Sequence, residues 1–213
     1  MSKRVVAVVL AAGSSSRMGK PKQLIEVEGQ SLLRRTVQTT LASDVGVVVV
    51  TTARNGVDFE AELSGLQWTR AEVDCPQEGQ SESVRASLKA VESLNGFDAI
   101  LFCPCDLPLL SVSHLDALID KFRSENWNIV ASRYDGVLGA PMIVGRALWP
   151  ELELLQGDTG ARKVLAAHPQ TTTFIEWANG ALDLDTPDDV EAWKRFVGGE
   201  AGVTASSTGS CFH

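Results

Sequence analysis

Aromatic side chains are scarce in this 213-residue chain, at 6%, with a single tyrosine. There are only three histidines and four cysteines. Cys103 and Cys105 lie two apart around Pro104, while Cys75 and Cys211 are isolated. Such spacing makes neither a disulfide framework nor the paired clusters of structural zinc, so inert thiols are expected. His114, His168 and His213 are too scattered for a triad or a metal cluster, and His114, near a helix start, reads as structural. No apolar run approaches the length needed to cross a membrane. Positive charge is also lacking: 19 Lys and Arg stand against 27 Asp and Glu, a net charge of −8. That balance argues against broad nucleic-acid or anionic-membrane binding but not against a small phosphorylated ligand held by local cations. The short N-terminal apolar run has no cleavage pattern, so a cytoplasmic protein is expected.

Two familiar phosphate loops are missing as well. Gly13 and Gly19 have five residues between them, and Lys20 is followed by proline, which excludes the Walker loop. No G-x-G-x-x-G dinucleotide fingerprint occurs.

What is present begins at Val5. Residues Val5 to Leu10 form a β-branched, continuous apolar run, the pattern of a strand buried on both faces of a parallel sheet. It ends in Ala11, Ala12 and Gly13, then three serines, with Arg17, Lys20 and Lys22 close behind. Small residues with free amides beside clustered cations make a phosphate cradle. Further β-type runs follow at Val45–Thr52, Trp68–Val73, Ala99–Cys103, Asn128–Ser132 and Thr171–Trp177. Helical patterns alternate with them at Ser31–Ala42, Asp58–Leu63, Ser83–Leu94, Ser111–Phe122 and after Thr186. Ser31, Ser81 or Ser83, the Ser113–Asp116 pair, and Asp158 or Thr159 are the expected caps. Gly136–Val144 reads as a loop and strand. This alternation predicts a mostly parallel sheet with helices on both faces. One domain over residues 1–197 is expected, followed by a Gly- and Ser-rich flexible tail over 198–213.

Asp106 sits between two prolines at the end of the predicted strand Ala99–Cys103. Ligands of open α/β sheets collect there, and Mg2+ takes one or two carboxylates with phosphate oxygens. Asp183 and Asp185, in an extended segment before the Thr186–Pro187 helix start, are candidates to complete such a site.

Leu10 to Leu24 (L-A-A-G-x-S-x-R-M-G-x-P-K-Q-L) resembles the signature loop of nucleotidyltransferases, and most of all that of the molybdenum cofactor cytidylyltransferase family. The resemblance runs from Val5 to about Phe196 and implies a single-domain, Rossmann-like α/β/α fold of the nucleotide-diphospho-sugar transferase type. It implies transfer of CMP from CTP to the phosphate of the pterin cofactor, with Mg2+ as cofactor and release of pyrophosphate. Leu10, Ala11, Ala12 and Gly13 would contact the nucleotide, and Arg17 and Lys22 the triphosphate. Gly79, Gln80 and Ser83 would face base and ribose, and Asp106 the metal, with Asp185 foremost and Asp183 behind it. The Ala-Ala-Gly form is associated with CTP, where related guanylyltransferases carry Ala-Gly-Gly. The G-D-x-G-A-R element at Gly157–Arg162 would shape the acceptor side, with Asp158 and Arg162. Arg162 suits either a substrate phosphate or a structural pair with Asp158. The family's G-H-P is Gly139-Ala140-Pro141 here. Other acceptors such as methylerythritol phosphate, guanylyl rather than cytidylyl transfer, and a non-catalytic cofactor carrier or insertion chaperone are the alternatives. A molybdoenzyme partner and a monomer or weak homodimer go with the resemblance.

Overall fold

The computed structural model describes residues 2–13, 21–184, 188–191, 193 and 195. Arg17, Asp185, the Thr186–Pro187 helix start and the 198–213 tail lie outside these residues.

The apolar run at the N-terminus is strand β1 (Val5–Leu10), in the middle of a seven-stranded sheet. Val5, Ala7 and Val9 enter one apolar cluster and Val6 and Val8 the other, so both faces of β1 are covered. That double burial explains why its sequence is continuous rather than alternating. After the loop, a small hairpin pairs β2 (Glu26–Val27) with β3 (Gln30–Ser31). Ser31 then caps α1 (Leu32–Ala42), its hydroxyl accepting from the Arg34 N–H at 3.0 Å.

The chain continues through β4 (Val48–Ala53), β5 (Thr69–Val73), α2 (Gln80–Leu94), β6 (Ala99–Pro104) and α3 (Val112–Ser124). Next come β7 (Ile129–Tyr134), β8 (Val137–Gly145), α4 (Trp149–Glu153), α5 (Arg162–Ala167) and β9 (Thr172–Glu176). The sheet order is β5-β4-β1-β6-β8-β7-β9, and only β8 runs antiparallel to its neighbours. Residues of α2, α4 and α5 cover one face, and those of α1 and α3 the other. This is the mostly parallel, Rossmann-like α/β/α architecture that the alternation predicts. Among the described residues no helix is long and apolar enough to cross a membrane.

Several local expectations change. The Asp58–Leu63 segment is a series of turns, not a helix. Helix α2 starts at Gln80, earlier than Ser83, behind Gly79 and with no side-chain cap. Ser111, not Ser113, caps α3, accepting from the His114 N–H. Asp116 instead accepts from the Asp44 N–H at 2.8 Å. Neither Asp158 nor Thr159 caps α5, and the Thr159 hydroxyl donates to the Gln156 carbonyl at 2.6 Å. The Gly136–Val144 segment is nearly all strand, turned back by Asp135 and Gly136 at φ 48° and 74°. Two positive φ values in a two-residue loop are what a tight hairpin requires.

β1 lies between β4 and β6; the chain steps outward from β1 through β4 to β5, then crosses back to β6 on the other side of β1. The gap past the ends of β1 and β6 is therefore a topological switch point, where ligands of such sheets collect. Leu10 pairs with Pro104 across that edge, so the loops carrying Gly13 and Asp106 leave the sheet side by side.

Candidate active site

A cavity of about 590 Å³ opens at this switch point. Leu10, Ala12 and Gly13 line it from β1, with Lys22 from the returning chain. Gly79, Gln80 and Ser83 line it from the start of α2. Asp106 enters from the end of β6, and Asp158 from the loop before α5. A second hollow of about 380 Å³ shares the Ala12–Gly13 wall and includes Ala11. Nine of the residues singled out from the sequence thus meet in one concavity, from five separate segments. Arg162 and Asp183 do not line it, though the segment carrying Asp183 is tied to the Asp106 backbone.

The loop after β1 is held from beneath. The Ala11 N–H donates to the Thr51 hydroxyl of β4 at 2.9 Å. The Gln23 side-chain amide donates to the carbonyls of Ala11 and Gly13, each at 2.7 Å. Gln23 is 3% exposed, so these bonds tie the loop through a buried group. The signal for Thr51 is the threonine pair Thr51-Thr52 embedded in an apolar strand, and Gln23 stands within the Leu10–Leu24 motif.

Lys22 and Asp106 pair directly, Nζ to Oδ2, at 2.5 Å. The same end of β6 receives the Asp183 segment, for the Leu184 N–H donates to the Asp106 carbonyl at 3.1 Å. That bond brings the Asp183 segment to the Asp106 backbone. Among the described residues no three potential metal ligands gather. The Asp106 carboxylate on the cavity wall, with the Asp183 segment tied to the same strand end, fits Mg2+ or Mn2+, which take few protein oxygens and fill the rest with phosphate and water.

The two glycine-containing segments of the site are one structure. Gly79 has φ 106°, and a Cβ there would lie 2.3 Å from the Gly157 carbonyl carbon. The Ser81 N–H donates to the Gly157 carbonyl at 3.2 Å. The Gln80 side chain rests against Gly160, in space a Cβ would fill.

Tyr134, at the end of β7, stands edge-on to Trp177, its hydroxyl over Gly139. Burial pushes its phenol above the ordinary range, Arg162 pulls it down, and Asp183 and Asp106 push it up again. Behind it, His114 stacks on Trp177 at 4.5 Å, and its Nε2 is 2.7 Å from the Ser132 hydroxyl, which donates to the Pro141 carbonyl. Burial lowers His114 to about 4, which keeps the ring neutral. The Cys103 thiol, fully buried, is pushed up to about 12. Neither group is suited to proton transfer or nucleophilic attack near neutral pH.

A family model described as MobA-like NTP transferase domain matches residues 7–172. The purine catabolism protein PucB of Bacillus subtilis is 28% identical over 201 residues, covering 90% of this chain and 96% of that protein. The molybdenum cofactor cytidylyltransferase of Escherichia coli is 26% identical over 195 residues, covering 89% and 96%. Among solved structures, a homologue of Mycobacterium tuberculosis Rv0371c from Mycobacterium sp. strain JC1 superposes with a TM-score of 0.80 at 26% identity, covering 94% of this chain and all of that one. Rv0371c itself has been solved in complex with manganese, and superposes with a TM-score of 0.71 at 26% identity over 89% of this chain and 97% of its own.

Proposed function

The chain belongs to the MobA-like NTP transferase domain family, and on that premise we propose that it transfers CMP from CTP to the phosphate of a molybdenum-cofactor pterin. The observation that carries this reading is the meeting of Gly13, Lys22 and Asp106 in one cavity at neighbouring strand ends. An oxygen of the acceptor phosphate attacks the α-phosphorus of CTP. The bond from that phosphorus to the bridging oxygen breaks, and pyrophosphate leaves. The acceptor is already an anion, so no activated side-chain nucleophile is needed, and catalysis consists of alignment and charge neutralisation.

In this reading the amides of Ala12 and Gly13 cradle the phosphates, with the Ala11 amide held by Thr51, and Gly79, Gln80 and Ser83 face the base and ribose. Lys22 and Arg17 offset charge that builds on the leaving pyrophosphate. Asp106, with Asp183 and Asp185, would hold Mg2+, which would neutralise the reacting phosphates when bound. The choice of CTP rests on Ala12, at the position where the guanylyl-type loop carries a second glycine.

Pyrophosphate release tests the proposal. The protein with Mg2+ and the pterin phosphate should release pyrophosphate from CTP in preference to GTP. A chain that binds the pterin but releases no pyrophosphate would instead be a carrier. Release only with a different phosphorylated metabolite would move the acceptor and leave the transfer chemistry standing.

A further inference from the structure

The transfer chemistry gives Lys22 to the triphosphate and Asp106 to a metal. In the structure each of the two occupies the other. The Lys22 Nζ stands 2.5 Å from the Asp106 Oδ2, and both side chains line the cavity. A carboxylate oxygen that accepts from an ammonium at this distance cannot also take a divalent cation without forcing like charges together. An ammonium held there meets an incoming phosphate with a carboxylate at its side, which weakens its pull.

Both backbones are pinned. Lys22 begins the short turn Lys22–Leu24, closed by the Leu24 N–H on the Pro21 carbonyl at 3.0 Å and the Ile25 N–H on the Lys22 carbonyl at 3.2 Å. Gln23 ties the same turn to the Ala11 and Gly13 carbonyls. The Asp106 carbonyl accepts from the Leu184 N–H. Opening the pair therefore falls to the side chains, and chiefly to the lysine. Its ammonium is a point charge on a flexible four-carbon stem, with no planar fork to disengage.

We propose that Lys22 and Asp106 mask one another, so that the site takes a nucleoside triphosphate and a divalent cation together, as one metal–nucleotide complex, and holds back either component alone. This rests on the transfer chemistry proposed above and specifies the form in which the site receives its nucleotide. A triphosphate alone draws Lys22 across but leaves the Asp106 carboxylate bare beside phosphate charge. A cation alone reaches Asp106 only against the field of the ammonium. With the complex, Lys22 swings to the phosphates as Asp106 turns to the metal, and no charge is left without a partner. While the pair is closed, the apparent affinity for either component falls by the fraction of molecules in which it is open. A partly solvated pair sets that fraction at about one in five.

The test reads binding rather than turnover. Mn2+ binding to the full chain, without nucleotide, is followed by the electron paramagnetic resonance of the unbound ion. CTP binding is followed by calorimetry in the presence of EDTA. Lys22→Met keeps the stem and removes the charge, and should tighten Mn2+ binding about fivefold. Asp106→Asn keeps the shape and removes the charge, and should tighten metal-free CTP binding by a similar factor. Loss of an ordinary binding residue would weaken binding instead. The double variant separates masking from simple repulsion. Most of the CTP gain of Asp106→Asn should vanish in the Lys22→Met background, where there is no ammonium to release, and the Mn2+ gain of Lys22→Met should vanish without the Asp106 carboxylate. Either single variant decides the matter if the other does not fold. Unchanged or weaker binding in a folded single variant, or a CTP gain just as large in the Lys22→Met background, would overturn the proposal. If the wild-type chain releases no pyrophosphate with any acceptor but the variants gain affinity as stated, the transfer reading fails and the masking stands.

Discussion

Lys22 and Asp106, 84 positions apart, meet at 2.5 Å across the mouth of the cavity. Both are largely shielded, at 22% and 14% exposure, so the pair closes the space between the first loop and the end of β6. In transfer chemistry the two partners must separate in task, the ammonium toward the triphosphate and the carboxylate toward the metal. Lys22→Ala and Asp106→Ala are each expected to slow pyrophosphate release at least ~100-fold, the scale of losing one electrostatic contact to a transition state. Stability should change by only about 1 kcal/mol, since a partly solvated pair contributes little to folding. Near-wild-type turnover in a folded variant would remove that residue from the mechanism.

Gly79→Ala should fail in a different way. The position combines φ 106° with backbone 2.3 Å from where a Cβ would go. Alanine there must displace the Gly157 strap or twist the start of α2. A loss of about 2–4 kcal/mol is expected in denaturant unfolding, together with weaker nucleotide binding. An unfolding midpoint that does not move would mean that the two backbones separate readily.

Gln23→Ala removes the buried amide that serves the Ala11 and Gly13 carbonyls. Leaving those acceptors without partners should cost about 1–3 kcal/mol. Because they belong to the loop after β1, the CTP KM should rise more than the acceptor KM. Equal changes in both would show that the loop's shape does not depend on this tie.

His114 sets an acid sensitivity. Its folded value is lowered to about 4 from an ordinary 6.5, because burial disfavours the charged ring. Above pH 6.5 the ring is neutral in both folded and unfolded chains. Between 6.5 and about 4 the unfolded chain takes up a proton that the folded one refuses, so stability falls as pH falls. The loss from this residue should approach about 3 kcal/mol. Unfolding measured at pH 7 and pH 4.5 should show a smaller drop in His114→Gln than in wild type, and parallel drops would assign the acid sensitivity elsewhere.

The parallel half of the sheet was readable because its strands are buried on both faces, and Val5 to Leu10 shows that as an unbroken apolar run. The meeting of Gly13 and Asp106 was readable because both follow the ends of strands, where sequence position predicts spatial position, whereas Lys22 returns to them from a short turn twelve residues past β1. Helix starts were less so. Gly79 carries no side chain with which to announce a cap, and Ser111 and Ser113 compete for one helix. Tyr134 was missed for a topological reason. It comes over Gly139 through an antiparallel hairpin inserted into a parallel sheet, and no local pattern encodes that neighbour. Its signal was the Asp135-Gly136 pair directly after it, the composition of a tight hairpin turn.

The contact between Gly79 and Gly157 bears on how this scaffold can change. The wall assigned to the nucleotide and the strap before α5 share a backbone seam, closed by the Ser81–Gly157 hydrogen bond. A graft of residues 155–164 from a relative with another acceptor would bring its own carbonyl to that seam. Unless residues 76–83 travel with it, the transplant would disturb nucleotide affinity along with the intended change, so the two segments have to be engineered as one cassette.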